Sequence, residues 1–398
     1  MQTRSISLNR KYIIYLSLCS FFISIAVFFY INKKKQLIIP NEIILTKATF
    51  SELPGWEDVE IFTAKNAFKE SCKKILIKSP LTRIKFFDSL INVESYQNFC
   101  IQLKKTNNNQ GLKNLIETSF NVIKIEEQER EAFFTGYIEL ELRGRLEPSL
   151  FEAPKAIPIY KKPNSLITID LGLFKENLKN KKITGVIERG TFVPAPTRDK
   201  IEKKKLFKNN ILAYIDDPAR AYFLHIQGSG TIELPNGESI AVGYDGDNGH
   251  DYFSIGRSLI REEIISKENI SMQSITKWMQ ENEEKAVSLR HKNKRFIFFK
   301  ERKKSGPVGA SGAIVTPMHS AAVDNNFLIY HLPLWVNVKK FFTDRPSQSY
   351  SNLFIAQDTG SAIKGATRID LFLGKGKNAE KLAGSLNSNG SLWAFVPK

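Results

Sequence analysis

The sequence predicts a mainly β chain with helices, an α+β fold, from three observations. Residues 58 to 125 place apolar side chains at helical spacing, first at Val59, Phe62, Ala67 and Phe68, then at Leu90, Tyr96, Phe99 and Leu103. From Phe133 onward short β-type runs alternate with turns. Ile211 to Leu234 alternates apolar and polar residues like a strand pair, and Leu234-Pro235-Asn236-Gly237 is a hairpin signal. The C-terminal stretch sets Asp358 and Asp370 among glycines and β-branched residues, the composition of tight turns and strands.

A chain of 398 residues with 42% hydrophobic content can bury two domains of ordinary size. Tyr12 to Ile31 is an unbroken apolar run of 20 residues, and a helix of that length spans roughly 30 Å, the hydrocarbon core of a bilayer. Arg4, Arg10 and Lys11 precede it and Lys33, Lys34 and Lys35 follow. Two readings compete. Ser24-Ile25-Ala26 suits a cleaved signal peptide, whereas the apolar run continuing to Ile31 and the basic stop favour an uncleaved anchor. Residues 1–35 are read as that signal or anchor, and the remainder as exported. Leu16-Ser17-Leu18-Cys19 is a poor lipobox, so lipidation is not predicted. Three cysteines are too few for a disulfide framework; Cys72 and Cys100 could pair outside the cytosol, which the sequence leaves open.

The net charge of +17 calls for an anionic partner or surface, unless it only keeps the chain soluble. Nucleic acid is one candidate, but no recognition motif supports it and the export segment argues against it. An anionic cell wall is the other.

In order, residues 36 to 55 read as an extended entry ending in the turn Pro54-Gly55-Trp56, and Thr106 to Gly111 as a loop between helices. Pro148, Pro154, Pro158 and Pro163 then break the chain into loops with short β pieces. Thr197-Arg198 opens a short helix, followed by the lysine run Lys203 to Lys205, read as a solvated face or a weak anionic contact. Ser271 to Leu289 is an amphipathic helix, Arg295 to Phe299 a strand, and Lys300 to Lys304 a basic linker before short strands resume at Gly306.

Three chemistries fail on spacing. Asp245, Asp247 and Asp251 lack the glycine and closing glutamate of a calcium loop; Gly228-Ser229-Gly230 lacks the lysine of a phosphate loop; the five histidines show no zinc spacing. No metal or cofactor is predicted. Gln227, Tyr244, Asn248 and Tyr252 suit a sugar groove, since amides bind hydroxyls and aromatic rings pack on sugar faces; the alternative is that the tyrosines are core. On the strand Thr367 to Leu373, Ile369, Leu371 and Leu373 point to a core, and Arg368, Asp370 and Phe372 to the face that could line a groove.

These residues carry a resemblance. Asp358-Thr359-Gly360-Ser361-Ala362-Ile363-Lys364-Gly365 through Asp370 to Gly376, then Ala383-Gly384 and Gly390-Ser391-Leu392-Trp393, resemble the C-terminal part of the MltA family, the membrane-bound lytic murein transglycosylases A. Phe133-Thr135-Gly136-Tyr137-Glu139, Gln227-Gly228-Ser229-Gly230, the run from Tyr244 through Asn248 and Tyr252 to Arg257, and Ala321-Ala322-Val323-Asp324 are similar to further family patterns. Ile138, Leu140, His225, Leu332 and Ser361 depart from them.

The resemblance implies a double-psi β-barrel built from residues 36–135 plus 303–398, a smaller β-barrel inserted at 136–302, and a glycan groove between them. It implies cleavage, without water, of the β-1,4 bond between N-acetylmuramic acid and N-acetylglucosamine of peptidoglycan, leaving a 1,6-anhydromuramic end. Asp370 would be the single general acid/base, Asp358 an auxiliary group, and Asp324 the third aspartate of the "3D" module; for Asp324 and Asp358 turn or strand capping is the other reading. Tyr137, Glu139, Gln227, Gly228, Ser229, Tyr244, Asn248, Tyr252, Asp324 and Lys364 would bind the glycan. Implied partners are peptidoglycan strands, the membrane through the N-terminal segment, and a cell-wall remodelling complex, on the periplasmic side of a Gram-negative-type envelope. The competing reading is a wall-binding scaffold of the same fold that does not turn over.

Overall fold

The protein is described by a computed structural model covering residues 43–148, 156–179, 181–303, 306–342 and 348–398; the apolar run Tyr12–Ile31, Pro154 and Lys304 lie outside the described residues. Strand alternation organises it. In Pro333–Val338, Leu334, Val336 and Val338 point to one buried cluster and Trp335 to another. The first cluster fills a ring of six strands. Asn387–Pro397 pairs with Pro333–Val338, which pairs with Tyr350–Asp358; Ser320–Ala322 joins that strand to Arg368–Lys375, which lies parallel to Ala132–Arg145. Pairing of Asn387–Gly390 with Ala132–Thr135 closes the ring. This is the double-psi barrel of the expected α+β fold.

Trp335, Leu353, Ile355, Trp393 and Phe395 face outward, where the helices Lys65–Ile75, Val93–Leu103 and Asn109–Ser119 cover them. Trp56 meets Trp335 edge to face at 5.2 Å. Cys72 and Cys100 form a disulfide between the first two helices, with Cα atoms 5.5 Å apart.

Ala132–Arg145 is a 14-residue strand that serves two sheets. Its first half closes the ring, and its second half pairs with Ser229–Glu233 and with Ile211–Ile215. Ser239–Asp247 and Ile297–Glu301 extend one side and Ile157–Tyr160 the other. The two ends of this second sheet approach through Tyr160 and Phe296, whose rings lie 5.9 Å apart. The sequence boundary at residue 136 therefore falls inside one continuous strand.

Three local expectations are corrected. The helical region 58–125 contains a hairpin, Arg83–Phe86 with Ser89–Asn92, in which Ile84 lies opposite Ile91 and Phe87 accepts a positive φ of 50° in the turn. Its end, Phe120–Glu127, is a strand that buries Phe120 and Val122 on one face and Ile125 on the other. The supposed strand pair at 211–234 holds a helix, Pro218–Gln227: the Asp217 side chain accepts from the N–H groups of Ala219 and Arg220, Pro218 occupies the first turn, and Gly228 at φ 77° closes the end. The helix read at 271–289 is two, broken at Asn282.

A buried polar network ties helices to barrel. The His331 ring shares a hydrogen bond of 3.1 Å with Ser71 Oγ, and Gln357 Nε2 donates to Ser71 Oγ and to the Ala67 carbonyl, both at 2.8 Å. Burial, aided by Lys78 and Lys74, lowers the His331 pKa from 6.5 to about 4. A histidine kept neutral when folded binds its proton first in the unfolded chain, so stability should fall as pH drops from about 6.5 to about 4, by up to about 3 kcal/mol. Urea unfolding at several pH values should show this slope. It should be reduced in His331→Asn, which tolerates the native φ of 75°, and the remainder belongs to His225 and His319, whose pKa values burial also lowers.

Candidate active site

Strand register assembles the acids. Ala322 lies opposite Asp370 on one side and opposite Asp358 on the other. The two acidic residues thus sit on strands flanking Ser320–Ala322, with backbones roughly 10 Å apart. Between them the alanine side chain is small and buried. On the next strand Thr135 is opposite Asp370 and Tyr137 opposite Phe372. Period-two geometry puts Thr135, Tyr137, Asp370 and Phe372 on one face. Tyr137, Phe372, Val315, Ala322 and Ile363 form a small apolar floor.

The carboxylates, both half-buried, are held differently. Asp358 accepts three hydrogen bonds: Tyr137 Oη–H to Oδ2 at 3.0 Å, and the N–H groups of Ala310 and Thr359 to Oδ1 at 2.8 and 2.9 Å. Asp370 accepts one, from Thr135 Oγ1 to Oδ1, and Thr135 in turn accepts from Arg368 Nη2 at 2.8 Å. The Arg368 guanidinium stacks 5.0 Å from the Phe133 ring.

Burial pushes the Asp358 carboxyl above the usual carboxylate range, opposed by the Ala310 and Thr359 N–H groups and Tyr137, and reinforced by Asp370. Burial likewise pushes Asp370 up, against the pull of Arg368 and the Thr135 hydroxyl. Tyr137 is held far above the normal phenol range by burial and by both acids. Burial thus raises both acids, and Asp370, with one hydroxyl partner, has fewer donors to solvate its anion than Asp358 with three.

Asp324 lies alongside, 4% exposed. It accepts from Asn326 N and Nδ2 through Oδ1 and from Gly365 N at 3.0 Å through Oδ2. It pins the turn carrying Lys364, which is exposed, rather than facing the other two acids as a free carboxylate.

The remaining candidates divide. Gln227 Oε1 accepts from Ile138 N at 2.9 Å, tying the end of its helix to the residue beside Tyr137. Gly228 opens onto free space and Ser229 is buried. Glu139 is 6% exposed and ion-paired with Arg302, leaving its carboxylate engaged inside the protein. Asn248 is 1% exposed; its amide donates to the Pro196 and Lys294 carbonyls and accepts from Phe296 N. With every amide function satisfied by backbone, Asn248 braces loops and offers no group to a sugar, which corrects the expectation for it. Tyr244 is 50% exposed, with its hydroxyl on Asp247, and Tyr252 is half-buried.

Sequence reasoning missed Thr135, although Phe133-Phe134-Thr135-Gly136-Tyr137 puts it two residues before Tyr137, on the same strand face. It also missed the Ala310 N–H, which lies in the glycine-rich loop Gly306 to Gly312, a turn signal that does not say which carboxylate the loop meets. The departures Ile138, Leu140 and Leu332 are each 1% exposed and belong to the core, so they do not reach a ligand.

Fold and site define a two-barrel protein with a pair of partly buried acids on the two strands that flank Ser320–Ala322 in its six-stranded ring. The profile of the "MltA specific insert domain" matches residues 133–300, and that of the "3D domain" residues 319–396. The chain is 34% identical over 244 residues to the "membrane-bound lytic murein transglycosylase A homolog" of Buchnera aphidicola subsp. Schizaphis graminum, covering 60% of each chain. It is 34% identical over 208 residues to the "membrane-bound lytic murein transglycosylase A" of Escherichia coli K12, covering 50% of this chain and 56% of that one. The match thus spans under two thirds of these relatives. The crystal structure of MltA from Neisseria gonorrhoeae, in its monoclinic form, superposes with a TM-score of 0.73 at 28% identity, over 89% of this chain and 93% of that one. The chain resembles the MltA family over both matched regions.

Proposed function

We propose that this protein is a lytic transglycosylase that cleaves the β-1,4 bond between N-acetylmuramic acid and N-acetylglucosamine in peptidoglycan. The observation that carries this reading is Asp370, half-buried, with a raised pKa and one hydroxyl partner, on the strand face it shares with Thr135 and Tyr137. The names of its MltA relatives support the same chemistry.

Protonated Asp370 donates to the glycosidic oxygen as the C1–O4 bond breaks. The muramic C6 hydroxyl oxygen then bonds to C1, its proton passes to the Asp370 carboxylate, and the acid is restored with a 1,6-anhydro product and no water consumed. A hydrolase of this kind would need a second carboxylate to activate water or attack C1. Asp358, anchored by three donors, is suited to a fixed negative charge that stabilises the developing positive charge at C1 and to aligning Tyr137. Tyr244, Tyr252 and Lys364 remain the exposed or half-buried candidates for outer sugar contacts. The N-terminal segment would hold the enzyme at the membrane, on the periplasmic side of the envelope.

Mass spectrometry of digests of purified murein tests this reading. Anhydro-muropeptides are expected; ends carrying an added water would mean a hydrolase, and bound glycan with no product a scaffold.

The alkaline limb of kcat/KM should lie above the ordinary carboxylate pKa of about 3.9, because activity needs Asp370 protonated and its pKa is raised. Thr135 stabilises the charged form of Asp370. Thr135→Val should therefore move that limb to higher pH while lowering the plateau. A pH–rate profile showing a downward shift would contradict the assignment.

A further inference from the structure

Opposite in character to the polar site, the stretch from Leu76 to Asn92 exposes large apolar side chains: Ile77 is 81% exposed, Leu81 89% and Leu90 61%. Such groups are expected singly on a soluble surface, but here they lie along one loop and the hairpin it feeds. Val93 N bonds to the Thr82 carbonyl at 3.0 Å, closing that loop against the hairpin's far end. In the hairpin Ile84 and Ile91 turn inward, so the outer face carries Arg83, Lys85 and Leu90, with Lys85 directly opposite Leu90. From Leu76 to Asn92 the charged residues are Lys78, Arg83, Lys85 and a lone acid, Asp88.

Position adds a second observation. The strand Ile43–Ala48 is the first described element, and Leu45 and Lys47 share the walls of a cleft of about 590 Å³ with Phe86 and Ser89 of the hairpin. The patch therefore sits beside the point where the chain leads back to the 20-residue apolar run ending at Ile31. Residues 32–42, even fully extended, reach at most roughly 40 Å. A bilayer holding that run is within reach of the patch.

We infer that the loop and hairpin 76–92 form a docking surface for an anionic bilayer, with Ile77, Leu81 and Leu90 entering the interface and Lys78, Arg83 and Lys85 at the headgroups. The inference rests on the membrane attachment proposed above. The apolar tips exploit the hydrophobic interior, and the basic residues respond to the negative surface potential, each favouring binding by about fivefold. Docking would fix the orientation of the barrel relative to the membrane, which a tether alone would leave free.

The test is hydrogen exchange of the full chain in nanodiscs of phosphatidylcholine, with and without phosphatidylglycerol, and in neutral detergent micelles. Residues 76–92 should exchange about tenfold or more slowly in the anionic discs than in either other setting. Ile77→Ser/Leu81→Ser/Leu90→Ser should abolish that protection while the protein still co-elutes with the discs and still releases the same products from murein fragments. Co-elution with equal exchange in both lipid compositions overturns the docking surface but leaves the anchor intact. Failure to co-elute with anionic discs overturns both. Protection in micelles that grows with protein concentration means the patch pairs with a second copy instead, which also overturns the proposal.

Discussion

Asp370→Asn should lower turnover of murein by roughly 10²–10⁴-fold or more while leaving the folded protein at least as stable as the native one. The two effects have one cause. Burial raises the Asp370 pKa, so at neutral pH the native state bears a penalty for the ionised carboxylate. A group whose folded pKa lies above its unfolded value destabilises the protein as pH rises through that interval. Asparagine removes the ionisation, keeps an oxygen for the Thr135 hydroxyl, and cannot donate an acid proton. Product analysis by mass spectrometry together with urea unfolding at neutral pH gives both readings. An inactive but destabilised variant would assign Asp370 to structure; a stable variant with retained activity would sink it as the acid.

Asp358→Asn provides the contrast. Its carboxylate receives three donors, two of them backbone N–H groups that cannot turn away. An asparagine there can keep both N–H groups on its oxygen and turn its NH2 to the Tyr137 hydroxyl, but it exchanges three charge-assisted bonds for neutral ones, so this variant should be destabilised where Asp370→Asn is not. The difference separates a group that carries a proton from one that holds a charge in place.

Much of this pair was legible in the chain. Alternation alone put Ile369 and Leu371 in the core, both 0% exposed, and Asp370 on the opposite face. What alternation cannot give is the neighbour across the strand. Thr135 meets Asp370 only because two segments 235 residues apart pair in one parallel register. The helix Pro218–Gln227 was legible and overlooked: Asp217, Pro218 and Gly228 mark both ends, but the apolar residues between them also fit a strand. Asn248 shows the opposite failure. A polar residue between glycines invites a ligand, yet its burial against Pro196, Lys294 and Phe296 depends on three segments that no local pattern connects.

Those same segments converge on Arg198, and Arg198→Ala should unfold the inserted half at a loss of about 3–5 kcal/mol. Local sequence places Arg198 at the start of a short basic helix, where a solvated side chain is the ordinary outcome. The structure buries it to 2% exposure. Nε donates to the carbonyls of Asn293 and Arg295 at 3.2 and 3.1 Å, Nη2 donates to Arg295 O at 2.8 Å, and Nη1 to Glu202 at 3.0 Å. Its plane packs 5.2 Å from the Tyr222 ring and 5.0 Å from Phe296. Truncation leaves three acceptors unmet and opens a void between two rings. Burial would then raise the Glu202 pKa with only His291 and Arg290 left to oppose it. Lysine cannot substitute, since one ammonium cannot serve acceptors arranged around a flat fork. Because Ala132–Arg145 is shared by both sheets, loosening the insert also frees the strand that carries Thr135 and Tyr137. Denaturant unfolding should show the loss in Arg198→Ala and most of it in Arg198→Lys, with murein cleavage falling in parallel. A native midpoint in Arg198→Ala would mean that the insert is held by its apolar core alone.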